Sequence, residues 1–550
     1  MTTSRPTRPL KPCRLFGWAA IALALSSGPS RGEIGILPTR TGLFFDELRS
    51  RAVEFERSAR GSESATAESY TFNRSHYRAA GPEAEGLTDP RRSIGQPYPD
   101  GDVYTHSQRY GRSFGRYAEP EGNQGGFFAP TYVTDAFETG KRNFKLGPIA
   151  FGMGLQAYGE YNDNIYRSGT NRVDDFIVGA TMSLNGDWII TRFNRLSISA
   201  GVGYQRYLFE RAVDFNEDWN YAFSVLPGTS IAFDILVGDT VITVYDRFSV
   251  GSYSLNEHAL DPMEMFGVFE NEFGVAATWL INSQWTLSGN LSRSDRYALN
   301  DENEYVNRAV YGLSGSLAWS PTGIWTAGLE SSINYIDYYR SWLADGYSAS
   351  NGVFFSTPIT DKLSMRVAGG WQTGEWDEPA VFGDERNLSD YYFNASLQHQ
   401  LNARFSHNLA FGHETDLGSV SNFQTNSYIR YGFGWVAYRG GRISGSIYYQ
   451  NNEESGGFLR EDLDSFGLDL YWGHDLTEWL NLGLGYHYGD ISSSLPGRDY
   501  NEHSFSVDLN YPINDKLRAS LGYRYWLVNS SAPEFDFDQN RVILSLSYQF

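Results

Sequence analysis

Seven histidines follow residue 250: His258, His399, His407, His413, His474, His487 and His503. A histidine can shuttle protons when a nucleophile or orienting carboxylate sits at fixed spacing from it. His399, His407 and His413 bracket a short turn at Asn402–Arg404. No Gly-x-Ser-x-Gly elbow, His-Glu-x-x-His helix, Walker loop or Rossmann fingerprint sits in a suitable context. The expectation is a non-enzyme without cofactor or metal, its histidines serving as polar or interfacial strand residues. Acids cluster at Asp214–Asp218, Asn300–Glu304, Asp384-Glu385 and Glu453-Glu454. Their oxygens suit Ca²⁺ or Mg²⁺, but none has the spacing of a defined calcium loop, so they read as solvated loops. A third set of charges occupies alternate positions: Arg366, Arg430, Arg442, Arg518, Arg524 and Arg541, with Glu330, Asp469 and Asp508. Inside a pore, opposed rows of guanidinium and carboxylate favour polar solutes, or pair to satisfy buried charge.

The elements that must position these charges have a period of two. Leu196, Ile198, Ala200, Val202 and Tyr204 alternate with Ser197, Ser199, Gly201, Gly203 and Gln205. The same pattern recurs at Trp285–Ser292, Phe466–Gly473 and Leu517–Trp526. Apolar side chains suit lipid and small or polar ones suit a lumen, which is how transmembrane barrel strands alternate. Short turns fall at Thr191–Arg195, Gly238–Thr240, Asn282–Gln284, Pro321–Gly323 and Thr360–Lys362. They continue at Asn402–Arg404, Gly440–Arg442, Leu476–Glu478 and Asn514–Lys516, with longer polar loops between. Nine short turns and ten long loops predict an all-β, antiparallel up-and-down transmembrane barrel of about 20 strands (18–20). Asp218–Val237, with Pro227-Gly228 inside, is where a break in a strand is expected.

Composition agrees. The chain of 550 residues is 16% aromatic, with 57 glycines, one cysteine and a net charge of −21. Its mean hydropathy is −0.42. No apolar run after the N-terminus is long enough for a helical span. The aromatic content argues against disorder, and the acidic balance against nucleic acid as a partner. Residues 1–32 read as a signal peptide: a basic start, then an apolar run at Leu15–Leu25,. Cys13 lies before that run and is expected to be removed. Residues 33–147 form a largely irregular periplasmic leader with one short amphipathic helix at Thr41–Arg60, or a plug for the lumen,. Residues 148–550 are the barrel and carry about −25 by residue count,.

Tryptophans collect near strand ends: Trp279, Trp285, Trp319, Trp325, Trp472 and Trp479. They are expected to form an interfacial girdle against outer-membrane lipids. The last strand alternates through Val542, Leu544, Leu546 and Tyr548 and stops on Phe550. Such an ending looks like the signal read by the barrel assembly machinery, the expected folding partner.

The stretch from Tyr158 to Phe176 carries Tyr161, Asn162, Asp163, Asn164, Tyr166 and Arg167 in one loop. It resembles the opening hairpin of the β-barrel porin family of the "beta-barrel porin 2" type. The resemblance implies an outer-membrane protein of a Gram-negative-type bacterium with a pore or export role. Its relatives often accompany exopolysaccharide production, and no catalytic residue carries over.

The function expected is passive passage of hydrophilic solutes, since about 20 strands exceed the 16–18 that leave an aqueous channel. The alternative is a conduit or docking barrel for polysaccharide, with Tyr338, Tyr339, Trp342, Trp371 and Trp376 stacking on sugar rings. A structural surface barrel and a TonB-type transporter rank lower, the latter because the leader is poor in core residues.

Overall fold

The computed structural model describes residues 144–550, except 166, 171, 192, 210–220, 227, 255–264, 300, 323, 341–342, 378–383, 419–420 and 457–459. The expected signal peptide, the leader as far as residue 143, Tyr166, Trp342, His258 and the acids at 214–218 lie outside the described residues.

Strand follows strand. A lead-in, β1 (Phe144–Leu146), folds back on β2 (Ile149–Asn162). Then come β3 (Asp175–Thr191), β4 (Asn194–Tyr207), β5 (Tyr221–Val225), β6 (Ser230–Val237), β7 (Thr240–Ser254) and β8 (Met265–Leu280). The series continues with β9 (Trp285–Ala298), β10 (Arg308–Trp319), β11 (Thr326–Tyr338), β12 (Gly346–Thr360), β13 (Leu363–Trp376), β14 (Asn387–Asn402) and β15 (Phe405–Leu417). It ends with β16 (Phe423–Tyr438), β17 (Gly441–Glu454), β18 (Leu463–Thr477), β19 (Leu480–Ser493), β20 (Tyr500–Pro512), β21 (Leu517–Ser530) and β22 (Phe537–Gln549).

Each strand pairs antiparallel with its neighbour in sequence, and β22 returns to pair with β2, Gln549 opposite Gly154 and Arg541 opposite Asn162. β5 and β6 are one strand in two pieces, both lying between β4 and β7. Counted once, and without the lead-in, they complete a closed antiparallel barrel of 20 strands. Closure is required physically, because lipid offers no partner to an unpaired backbone N–H or C=O. The nine short turns all occur where the alternation breaks. Gly238, between paired Val237 and Thr240, has φ +61°, which suits the first central position of a tight hairpin turn,. By the usual threading, short turns face the periplasm and long connections the outside.

The interruption between β5 and β6 falls at the expected Pro227-Gly228 site. Thr229 patches the ladder there: its Oγ1 accepts from Gly201 N at 3.1 Å and donates to Leu226 O at 2.8 Å.

The pleat sorts the side chains. Leu313, Leu329, Val353, Trp371 and Leu544 point outward and are exposed. Inward positions carry Ser, Thr, Asn, Gly and charge, with a repeated device among them. An inward aromatic lies flat over the inward glycine directly opposite it: Tyr158 on Gly179, Tyr245 on Gly274, Tyr448 on Gly467. A Cβ on Gly467 would sit 2.1 Å from Tyr448 Cε1, and one on Gly274 2.5 Å from Tyr245 Cζ. Glycine is thus the recess in the sheet that lets a large ring lie along the wall.

Candidate functional site

The inner wall is the candidate site. All nine charges expected on the lumen face occupy inward positions, in phase with the buried polar residues of their strands and out of phase with the exposed apolar ones. They do not form a single row. Arg541 meets Glu160 across the closing seam at 2.6 Å, both side chains largely buried. Glu330 accepts from the Tyr392 hydroxyl at 3.0 Å, with Arg366 at 3.9 Å. Arg366 lies 4.9 Å over the Phe354 ring, and Arg430 5.3 Å over Tyr448, so each guanidinium rests on an aromatic that itself lies against the sheet. Arg524 faces Arg541 in register, within electrostatic reach of Asp508. Arg442 and Arg518 sit next to short turns, near the periplasmic rim.

Asp469 joins a chain of contacts crossing five strands. It accepts from Ser446 Oγ at 2.7 Å and pairs with His487 Nδ1 at 2.7 Å. His487 Nε2 reaches Glu502 Oε1 at 3.2 Å, and Trp526 Nε1 donates to Glu502 Oε2 at 3.0 Å. From the sequence His487 reads only as a polar or interfacial strand residue, and Glu160 and Glu502 are not singled out. Parity was the signal that could have found them: outward Leu482, Leu484 and Tyr486 turn His487 inward. Three more pairs were also missed. Arg195 bonds Asp187 at 3.1 Å, Arg296 bonds Glu270 at 2.6 Å, and Arg247 lies 3.6 Å from Glu272.

Toward the long connections the wall becomes apolar. Trp376, Leu388, Phe423 and Ala344 pack together, as do Trp526, Val528, Phe537, Ile491, Leu463 and Tyr500. Leu417, the last residue of β15, touches two such clusters. The loop acids have structural partners. Asp384 accepts from Asn422 N at 2.8 Å and Ser455 Oγ at 2.7 Å, while Glu454 meets Ser421 and Glu304 meets Arg340. Among the described residues no group of three or more potential ligands converges on a metal site.

The aromatics proposed to stack on sugars are not a lumen track. Trp371 and Tyr339 face outward, and Trp376 is sealed against Phe423 with ring centroids 5.1 Å apart. Trp376 and Tyr338 occupy inward positions, and the Tyr338 hydroxyl accepts from Arg308 at 3.1 Å. The six tryptophans all lie within a few residues of short turns on outward positions. Trp285 stacks on Trp319 at 5.8 Å, and Trp319 meets the edge of Trp325 at 5.2 Å. Trp472 Nε1 donates to the Tyr438 hydroxyl at 3.2 Å. His399 and His407 are opposite each other, outward, with ring nitrogens 2.9 Å apart.

The opening-hairpin motif and the chain end meet at the seam. Asp163 Oδ1 accepts from Asn540 N at 2.6 Å, and buried Asn164 donates to Asp538 O at 2.9 Å. Gln539 Nε2 donates to Asn162 Oδ1 at 3.0 Å. Arg167, at φ 52°, lies 4.7 Å over Trp526. At the other end Phe550 N donates to Met153 O at 3.0 Å, and its ring contacts Tyr548 at 4.6 Å.

Residues 440–550 match the family model described as "Putative beta-barrel porin 2". No curated protein matches the chain. Among solved structures it is similar to OccAB3 of Acinetobacter baumannii, with 13% identity, 73% of this chain and 99% of the other covered, and a TM-score of 0.39. A BenF-like porin from Pseudomonas fluorescens gives 10% identity over 73% and 99%, with a TM-score of 0.38. The FrpB iron transporter from Neisseria meningitidis gives 9% over 72% and 81%, with a TM-score of 0.45. Residues 440–550, the closing strands, are thus similar to the beta-barrel porin 2 family, and the described chain folds as a closed antiparallel β-barrel.

Proposed function

We propose that the barrel is a channel for passive passage of small hydrophilic solutes. The observation that carries this is the charged inner wall of a 20-strand barrel. Arg541–Glu160 and Ser446–Asp469–His487–Glu502 line it where a merely structural barrel would gain more from apolar packing,. Fixed charges of both signs hold water and suit polar solutes of either charge. The net acidity of the barrel and its outer loops adds a bias toward cations at the mouth. The tryptophans beside the short turns serve as the periplasmic girdle, and Tyr548 and Phe550 as the assembly signal.

The test is conductance in planar bilayers with neutral polymers of graded size. Discrete conductance steps that small polymers reduce and large ones do not are expected. A silent barrel, together with absent liposome swelling in small sugars, would overturn the proposal. Deleting residues 33–147 separates leader from plug: unchanged conductance ends the plug idea.

A further inference from the structure

The same four strands meet lipid in two different ways. At their short-turn ends, β9 to β12 present Trp285, Trp319, Trp325 and Phe355, each ring within 5.9 Å of the next. Among the described residues no guanidinium lies over those four rings. Nearer the long-connection ends, the outward face carries a row in direct register: Arg293 opposite Tyr311, Tyr311 opposite Tyr335, Tyr335 opposite Tyr347. Arg293 lies 5.3 Å over the Tyr311 ring, and Tyr311 stacks on Tyr335 at 6.4 Å. Above them Asp295 accepts from Arg293 at 2.7 Å and from the Tyr339 hydroxyl at 2.9 Å. Arg293 Nη2 also donates to Tyr339 at 3.3 Å. The guanidinium is therefore held by a ring, a carboxylate and a phenol, yet it stays 46% exposed.

A charge on a lipid-facing strand is costly at mid-bilayer and tolerable near the interface. The arginine stays half-exposed beside ring faces and tyrosine hydroxyls, with Asp295 at one edge and Glu375, which accepts from the Tyr347 hydroxyl at 2.9 Å, at the other. Guanidinium matches phosphate oxygens. Phenol groups on a row of rings match sugar hydroxyls and the apolar faces of sugar rings. The two ends of these strands thus fit two chemically different leaflets.

We propose that the outward face of β9–β12, around Arg293, Tyr311 and Tyr339, docks a phosphorylated glycolipid of the outer leaflet. The inference rests on the outer-membrane orientation and not on the channel reading, so a silent barrel would leave it standing.

The experiment uses full-length protein in nanodiscs of phosphatidylglycerol doped with phosphorylated lipopolysaccharide. Native mass spectrometry after release into mild detergent counts retained glycolipid. Wild type is expected to retain it in preference to phosphatidylglycerol. Arg293→Gln and Tyr339→Phe should each lower retention severalfold. Trp319→Phe, at the other end of the same strands, should not. All variants are first checked for a heat-modifiable gel shift, and Arg293→Lys serves where Arg293→Gln fails to fold, with an intermediate loss expected. Three results would overturn the proposal: equal retention by Arg293→Gln or Arg293→Lys and wild type, an equal loss in Trp319→Phe, or equal retention of dephosphorylated glycolipid.

Discussion

At the residue scale, the inner wall is a set of local charge contacts. Arg541 and Glu160 illustrate the consequence. Glu160→Gln leaves the arginine charge on the wall without its carboxylate, so the reversal potential under a salt gradient should move toward anions. An unchanged potential would mean that this pair lies off the permeation path. A second prediction concerns Asp345, in the connection before β12. It accepts from Tyr338 N at 2.7 Å. Burial pushes its carboxyl above the usual value of 3.8, and Asp337 and Asp377 push the same way. A raised carboxyl binds its proton more tightly in the folded state. Its stabilising effect is therefore complete below the unfolded value and disappears as pH rises through the folded one. Asp345→Asn keeps the acceptor and removes the charge, so thermal melts of the variant should depend less on pH just above 3.8 than those of wild type. Parallel pH profiles would refute this. Residue roles were partly legible in the sequence. The parity of Arg366 or Asp508 is local information. The partner of each charge is not: Glu160 and Arg541 are 381 positions apart and meet only because the barrel closes.

At the element scale, pairing a ring with a recess explains where glycine goes. Gly467→Ala should drive Tyr448 off the wall at a cost of about 1–3 kcal/mol. A lowered urea midpoint would show it. Gly251→Ala, where a Cβ meets nothing within 4 Å, is the matched control and should leave the midpoint unchanged. The seam offers a second test. Asn164→Ala removes its bonds to Asp538 O and Ser168 O, about 1–3 kcal/mol for buried groups left unpaired,. It should lower the temperature of the heat-modifiable gel shift, and an unmoved temperature would mean the motif does not fasten the seam. The strands and turns themselves were readable because period-two alternation and turn residues are local signals. The glycine–aromatic pairs were not readable, since Tyr448 and Gly467 become opposite only through the register of β17 and β18.

At the scale of the whole molecule, the proposed channel would gather its acidity into a field at one mouth. Cation preference is expected at low salt. It should weaken as salt rises toward 1 M, where the screening length falls to about 3 Å. Anion preference at low salt would defeat the proposal for the mouth. Closure also makes the wall nearly uniform, and among the described residues the strand divided into β5 and β6 departs from that. Between β5 and β6 a threonine side chain stands in for backbone pairing. Amide hydrogens along a closed ladder exchange only when neighbouring strands part together. Around Leu226 and Thr229 that cooperativity is interrupted, so deuterium should enter there earlier than at equivalent depth elsewhere in the wall. The barrel would then have a built-in point of first opening in the fourth strand of 20 from the seam its ends close,.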